Sequence, residues 1–129
     1  MATGSVWTNS GRNEIHQTIT GQDTKTISRF IVGTGTTTPL ITDTSLTARV
    51  AGFTRKAFDV GYPIFDTGNV QATIKGTLST TEANGNDIGE VALTDTSESL
   101  IWTHDVYTSL TKNTSTEVIF EWIYQIRNG

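Results

Sequence analysis

Cysteine is absent from all 129 residues, which excludes a disulfide framework and any thiolate metal site. Proline occurs only twice, and no apolar run approaches the roughly 20 residues that a membrane-crossing helix needs. The N-terminal stretch MATGSVWTNSGRNE has no basic segment followed by an apolar one, so no secretory signal is expected. Basic residues are scarce. Nine Lys/Arg against 13 Asp/Glu leave a net charge of −4, which argues against a nucleic-acid-binding surface. The two histidines, His16 and His104, have no second histidine at ligand spacing. These absences describe a protein made in a cytoplasm, with neither membrane nor nucleic acid as partner.

What is abundant is threonine, about a fifth of the chain, and β-branched residues favour extended structure. Charge is uneven. Residues 1–64 carry six Lys/Arg and four Asp/Glu (+2), and residues 65–129 carry three and nine (−6). Unlike ends of this kind favour contact between different regions of adjacent copies.

Hydrophobic spacing predicts two short helical segments among strands. Ser10–Thr20 places Ile15 and Ile19 on one face, with Asn9 or Ser10 as cap and Gly21 as stop. Thr42–Gly52 reads as an excursion of one or two helical turns, near residues 43–51, capped by Asp43 or Thr44. Strands are expected at Thr26–Gly33, Gly52–Val60 and Asn69–Thr80 (NVQATIKGTLST), in DIGEVALTD and SLIWTHDVY joined by a polar turn at Asp95–Ser99, and in the closing STEVIFEWIYQIR. In the third, Val70, Ala72, Ile74, Gly76 and Leu78 alternate with Gln71, Thr73, Lys75 and Thr77. In the last, Val118, Phe120, Trp122, Tyr124 and Ile126 share one face opposite Ile119, Glu121, Ile123 and Gln125. Apolar residues on both faces mark that strand as central or covered by a partner, and Trp122 as a core residue. The fold class is therefore all-β: an antiparallel β-sandwich forming a single domain over 1–129, with 1–21 as an N-terminal helical or docking segment.

Candidate chemistry is thin. Gly33-Thr34-Gly35 follows a hydrophobic run as a phosphate loop would, but no Lys, third glycine or long helix comes after it, and Pro39 forces Thr38 to be extended. A sharp turn is the better reading. Asp66-Thr67-Gly68 matches the triplet of aspartic proteases, in which two carboxylates share a proton, yet Asp-Thr-Gly-Asn also serves a hairpin turn well. EANGNDIGE, Glu82–Glu90, gathers three carboxylates without the calcium-loop spacing. Trp7, Trp102 and Trp122 offer a sugar-stacking platform or packing anchors, and Asn113-Thr114-Ser115 fits a glycosylation acceptor. No catalytic, cofactor-binding or metal-ligating residue is assigned from these patterns.

The order of FIVGTGTTTPLITDTSLTARV, EANGNDIGEVALTD and SLIWTHDVYTSLTKNTSTEVIFEWIYQI resembles small structural proteins of tailed bacteriophages, of the tail-fibre, collar and capsid-decoration type. The matching positions are Gly33 to Thr37, Pro39, Asp43 to Leu46, Glu90 to Leu93, and Lys112 through Ile126. Ala92 stands where a glycine is more usual, and IWTHDV where an Arg-containing strand is. The resemblance implies a non-enzymatic virion structural protein, synthesised in the host cytoplasm. It would act as a tail-fibre or baseplate adaptor through oligomerisation and docking, or alternatively as a capsid decoration (cement) protein. Its partners would be itself, as a homo-oligomer with a trimer expected by analogy, and other virion proteins, without cofactor or metal. Because the chain ends at Gly129, two residues after Arg127, no separate receptor-binding domain is expected. Two other classes remain: a carbohydrate- or receptor-binding β-sandwich using the surface aromatics, and an aspartic protease dimer using Asp66.

Overall fold

In the computed structural model, which describes residues 4–125, two antiparallel sheets enclose one main core. The elements run β1 Gly4–Trp7, α1 Asn9–Ile19, β2 Arg29–Gly33, β3 Lys56–Ala57, β4 Ile64–Asp66, β5 Gln71–Leu78, β6 Asn86–Thr94, β7 Thr103–Lys112 and β8 Val118–Gln125. One sheet has the order β1-β7-β6-β2-β3 and the other β4-β5-β8. This is the predicted all-β sandwich with a short N-terminal helix.

The alternation read for β5 matches the pattern of burial from Ala72 onward, whereas Val70, assigned to the same face, precedes the strand with a φ of 53° and is 65 % exposed. Ala72, Ile74, Gly76 and Leu78 point inward, and Gln71, Thr73, Lys75 and Thr77 are only partly covered. Phe30 and Val32 of β2 and Val91 and Leu93 of β6 meet Ile74 and Leu78 across the sandwich. Gly76 is required by close approach, since a Cβ there would lie 2.7 Å from Cδ1 of Phe30. Phe30 packs against Phe53, Phe120 and Trp122 at centroid separations of 5.8–6.0 Å, the geometry of tilted aromatic contact.

Helix α1 begins one residue earlier than the spacing suggests. Its cap is Thr8, whose Oγ1 accepts from the Gly11 amide at 2.9 Å and donates to the Ile101 carbonyl at 2.6 Å. The helix thereby lies on the turn before β7, close enough that a Cβ on Gly11 would sit 2.7 Å from Cα of Trp102. Residues 4–7, expected to belong to the helical segment, form an edge strand on β7 instead.

Three expectations need correction. Residues 43–51 are not helical, and the amides that would have continued a helix are taken by distant acceptors: Val50 donates to the Val32 carbonyl at 3.0 Å, and Thr47 and Ala48 donate to the side chain of Glu90. The long strand expected at 52–60 shrinks to β3, two residues. Among the described residues β8 is an edge strand paired only with β5, so Trp122 is a half-buried side chain packed on the core and not a residue of a central strand. Ile126, assigned to its inner face, lies outside the described residues.

Candidate functional site

The five-stranded sheet has a second buried face. Residues 34–50 cross over it, and Leu46 packs with Ile31, Ala92 and Ile101 in a small separate cluster. β6 is consequently buried on both sides from Ile88 to Thr94, which places Glu90, with no solvent exposure, under the crossing loop.

Glu90 is fully engaged there. Its Oε2 accepts from the amides of Gly35 at 2.9 Å and Ala48 at 2.7 Å, and its Oε1 accepts from the Thr47 amide at 2.9 Å. His104 of β7 adds Nε2 at 2.8 Å from Oε1, while its Nδ1 lies 2.7 Å from Oδ2 of Asp43. Carboxylates only accept, so both ring nitrogens must donate and His104 is an imidazolium, 1 % exposed. Burial alone would raise the pKa of Glu90, but His104 and the three amides outweigh it and hold the group below the ordinary range. Burial likewise opposes protonation of His104, and the hydrogen bonds to Glu90 and Asp43 reverse the sign and raise its pKa.

The glycines of the opening motif make this site possible. A Cβ on Gly33 would lie 2.7 Å from the Ala48 carbonyl, and one on Gly35 would lie 2.7 Å from Cβ of Thr47 and 2.8 Å from the Glu90 carboxyl carbon. Gly89, at the register shift between Ile88 and Glu90, has the Gly35 carbonyl 2.8 Å from its own Cβ position. The phosphate-like loop therefore contributes one backbone amide, that of Gly35, to an anion site whose other amides come from Thr47 and Ala48, and the anion is the protein's own Glu90. Arg49 extends the closure by a two-pronged pair to Glu98, at 2.7 Å on each prong.

The other sequence candidates separate. Asp66 sits in the β4–β5 hairpin turn, where its Oδ1 accepts from the amides of Gly68 and Asn69 and its Oδ2 from the Asn69 side chain at 2.8 Å. Those bonds, that from the Asn69 side chain foremost, hold its pKa below the usual range. Of the carboxylates in Glu82–Glu90, Glu82 pairs with Lys56 at 2.5 Å, Asp87 accepts from Thr111 at 2.8 Å, and Glu90 is buried elsewhere. Among the described residues no cluster of three or more His, Asp or Glu could hold a metal. His16 is exposed on α1. Asn113 caps the turn before β8. Trp102 is buried, whereas Trp7 and Trp122 border one groove beside β8.

The remaining candidate is a surface. Ile64, Ile119 and Ile123, 50–58 % exposed, stand on the outer face of the three-stranded sheet. Ile64 pairs with Thr73 and Thr73 with Ile123, so two of them lie in one row across the strands. Helix α1 does not cover them. Ile15 packs on the main core and Ile19 is 75 % exposed. Sequence reasoning found Ile119 and Ile123 by their parity. It missed the bonds among Asp43, Glu90 and His104, for which the available signal was a charged residue and a histidine inside otherwise apolar strands. Comparison with family models, with curated proteins and with solved structures gives no match.

Proposed function

We propose that the chain is a non-enzymatic structural component of a tailed-virus particle, an adaptor of the tail-fibre or baseplate kind that works by docking. The observation that carries the reading is the outer face of β4, β5 and β8, where three isoleucines are at least half exposed on regular strands. Isolated exposed apolar residues are ordinary, whereas several on one face of one sheet suit the core of an interface. The titratable groups that would suggest catalysis have structural work: Asp66 closes a hairpin turn, and Glu90, His104 and Asp43 hold a loop. The motif order resembling phage structural proteins supplies the class of particle. Capsid decoration is the alternative location and uses the same docking chemistry.

The test is association with particles assembled without the protein. Tagged chain added to such particles should sediment with them, and the double variant Ile119→Lys/Ile123→Lys should stay in solution. A wild-type chain that stays monomeric and fails to bind either tail or capsid particles would overturn the reading. A positive glycan array would then favour the carbohydrate-binding class.

A further inference from the structure

β8 pairs with β5 along one edge, and among the described residues no strand lies along the other. Below that open edge the five-stranded sheet continues through β7 to β1, leaving a groove of about 340 Å³ between the layers. Trp7, Tyr107, Trp122 and Tyr124 wall it, and Trp7 meets Tyr124 edge to face at 5.6 Å. Asp105 of β7 lines the same space, with Glu121 at the rim.

The polar groups in the groove are unbalanced. Asp105 accepts from the Ser5 hydroxyl and, at 3.1 Å, from Trp122 Nε1, both neutral donors, and no Lys, Arg or His of the described residues forms an ion pair with it. Tyr107 Oη is buried without a hydrogen-bond partner. Among the described residues no basic side chain lines the groove. Half-buried aromatic faces beside an unpaired carboxylate fit a flat organic cation, which gains from both the rings and the charge. An open strand edge, meanwhile, offers its amides and carbonyls to an added strand whose alternate side chains turn into the sandwich.

From this juxtaposition we infer that the β8 groove receives an extended segment of a partner protein, paired to the β8 edge and placing an arginine side chain against Asp105 and the Trp7, Trp122 and Tyr124 rings. The inference rests on the docking reading above and names the chemistry of one partner. The segment would cover the Tyr107 hydroxyl and set a cation directly against Asp105.

A short peptide, acetyl-Thr-Val-Arg-Val-Thr-amide, tests this against its uncharged counterpart with citrulline in place of arginine. Tryptophan emission reports binding, because Trp7 and Trp122 wall the groove. The arginine peptide should bind at least about tenfold more tightly than the citrulline peptide, and Asp105→Asn, whose Oδ1 can accept from Trp122 Nε1 while its amide donates to the Ser5 hydroxyl, should erase the difference. Should Asp105→Asn fail to fold, the two peptides on the wild-type chain still decide, with Glu121→Gln expected to weaken the arginine peptide by a smaller factor. Equal binding of the two peptides, no binding at millimolar concentration, or binding of a glycan alone would overturn the inference. Peptide failure with particle association intact removes only the groove assignment. Peptide binding with no particle association removes the virion reading instead.

Discussion

On the five-stranded sheet the outward residues Ile31, Glu90 and Ala92 lie buried beneath residues 34–50, whereas on the three-stranded sheet the outward residues Ile64, Ile119 and Ile123 meet solvent. The covering loop has little apolar area of its own there: Leu46 is its one side chain in the small cluster. Burying a leucine contributes about 1.5–3 kcal/mol, while ordering each residue of a loop costs about 1–2 kcal/mol. Hydrophobic contact alone therefore cannot hold so long a crossing segment. The buried carboxylate of Glu90 supplies fixed acceptors for amides on both sides of the loop, and His104 ties the same carboxylate to Asp43. Among the described residues the opposite face has no such loop, and its isoleucines stay exposed. One face is closed by the chain itself, and the other exposes its isoleucines among the described residues.

The strongest way to break this contrast is Glu90→Ala. It removes the acceptor for three amides and strands the buried imidazolium, so the expected loss is about 3–5 kcal/mol, a large share of a typical domain's 5–15 kcal/mol. The denaturant midpoint should fall accordingly, and the Thr47 and Ala48 amides should lose exchange protection. A loss below about 1 kcal/mol would mean that the loop is held by Leu46 and the Arg49–Glu98 pair instead.

A smaller effect is expected from pH. His104 has a raised pKa, so its contribution is complete below its ordinary value of 6.5 and is lost as pH rises through the raised, folded value. Glu90 has a lowered pKa, so its contribution is present above its ordinary value of 4.5 and is lost as pH falls through the folded value. The groups bonded to His104 are Glu90 and Asp43, with the Asp105 carboxyl also within electrostatic reach, and Glu90 and Asp43 both favour its charged form. The midpoint, followed from about pH 3 to about pH 9, should form a plateau between these limits and decline on either side. A midpoint that climbs steadily through neutral pH would show that His104 is not the cation between the carboxylates.

Smallest in stability is the change on the open face. Ile119→Lys/Ile123→Lys should move the denaturant midpoint by no more than about 0.5 kcal/mol equivalent per site, as exposed substitutions do, while abolishing particle association. A large destabilisation would mean that this face is packed against part of the chain itself.

Much of the sandwich was legible because the side-chain period is short and local. Ala72, Ile74, Gly76 and Leu78 could be assigned inward from β5 alone, and Val118, Phe120, Trp122 and Tyr124 from β8 alone. The Asp95–Ser99 turn was legible for the same reason, since Asp95 accepts from the Ser99 amide at 2.7 Å and from both nearby serine hydroxyls. Strand order was not, because two isoleucines on the second face of β8 look the same whether a neighbouring strand or solvent covers them. The excursion at 43–51 misled for a different reason. Asp43 sits where a helix cap should, but it accepts from the Leu40 amide behind it and faces His104, 61 residues away. Glu90 satisfies Thr47 and Ala48 from 43 and 42 residues away. Local pattern cannot register acceptors that arrive only when the sheet has formed.

Hydrogen exchange of the chain free and bound to particles tests the contrast most directly. On binding, added protection should appear in β4, β5 and β8, while the amides of Gly35, Thr47 and Ala48, already protected in the free chain, remain as they were. Added protection confined to residues 34–50, with β5 and β8 unchanged, would contradict the account.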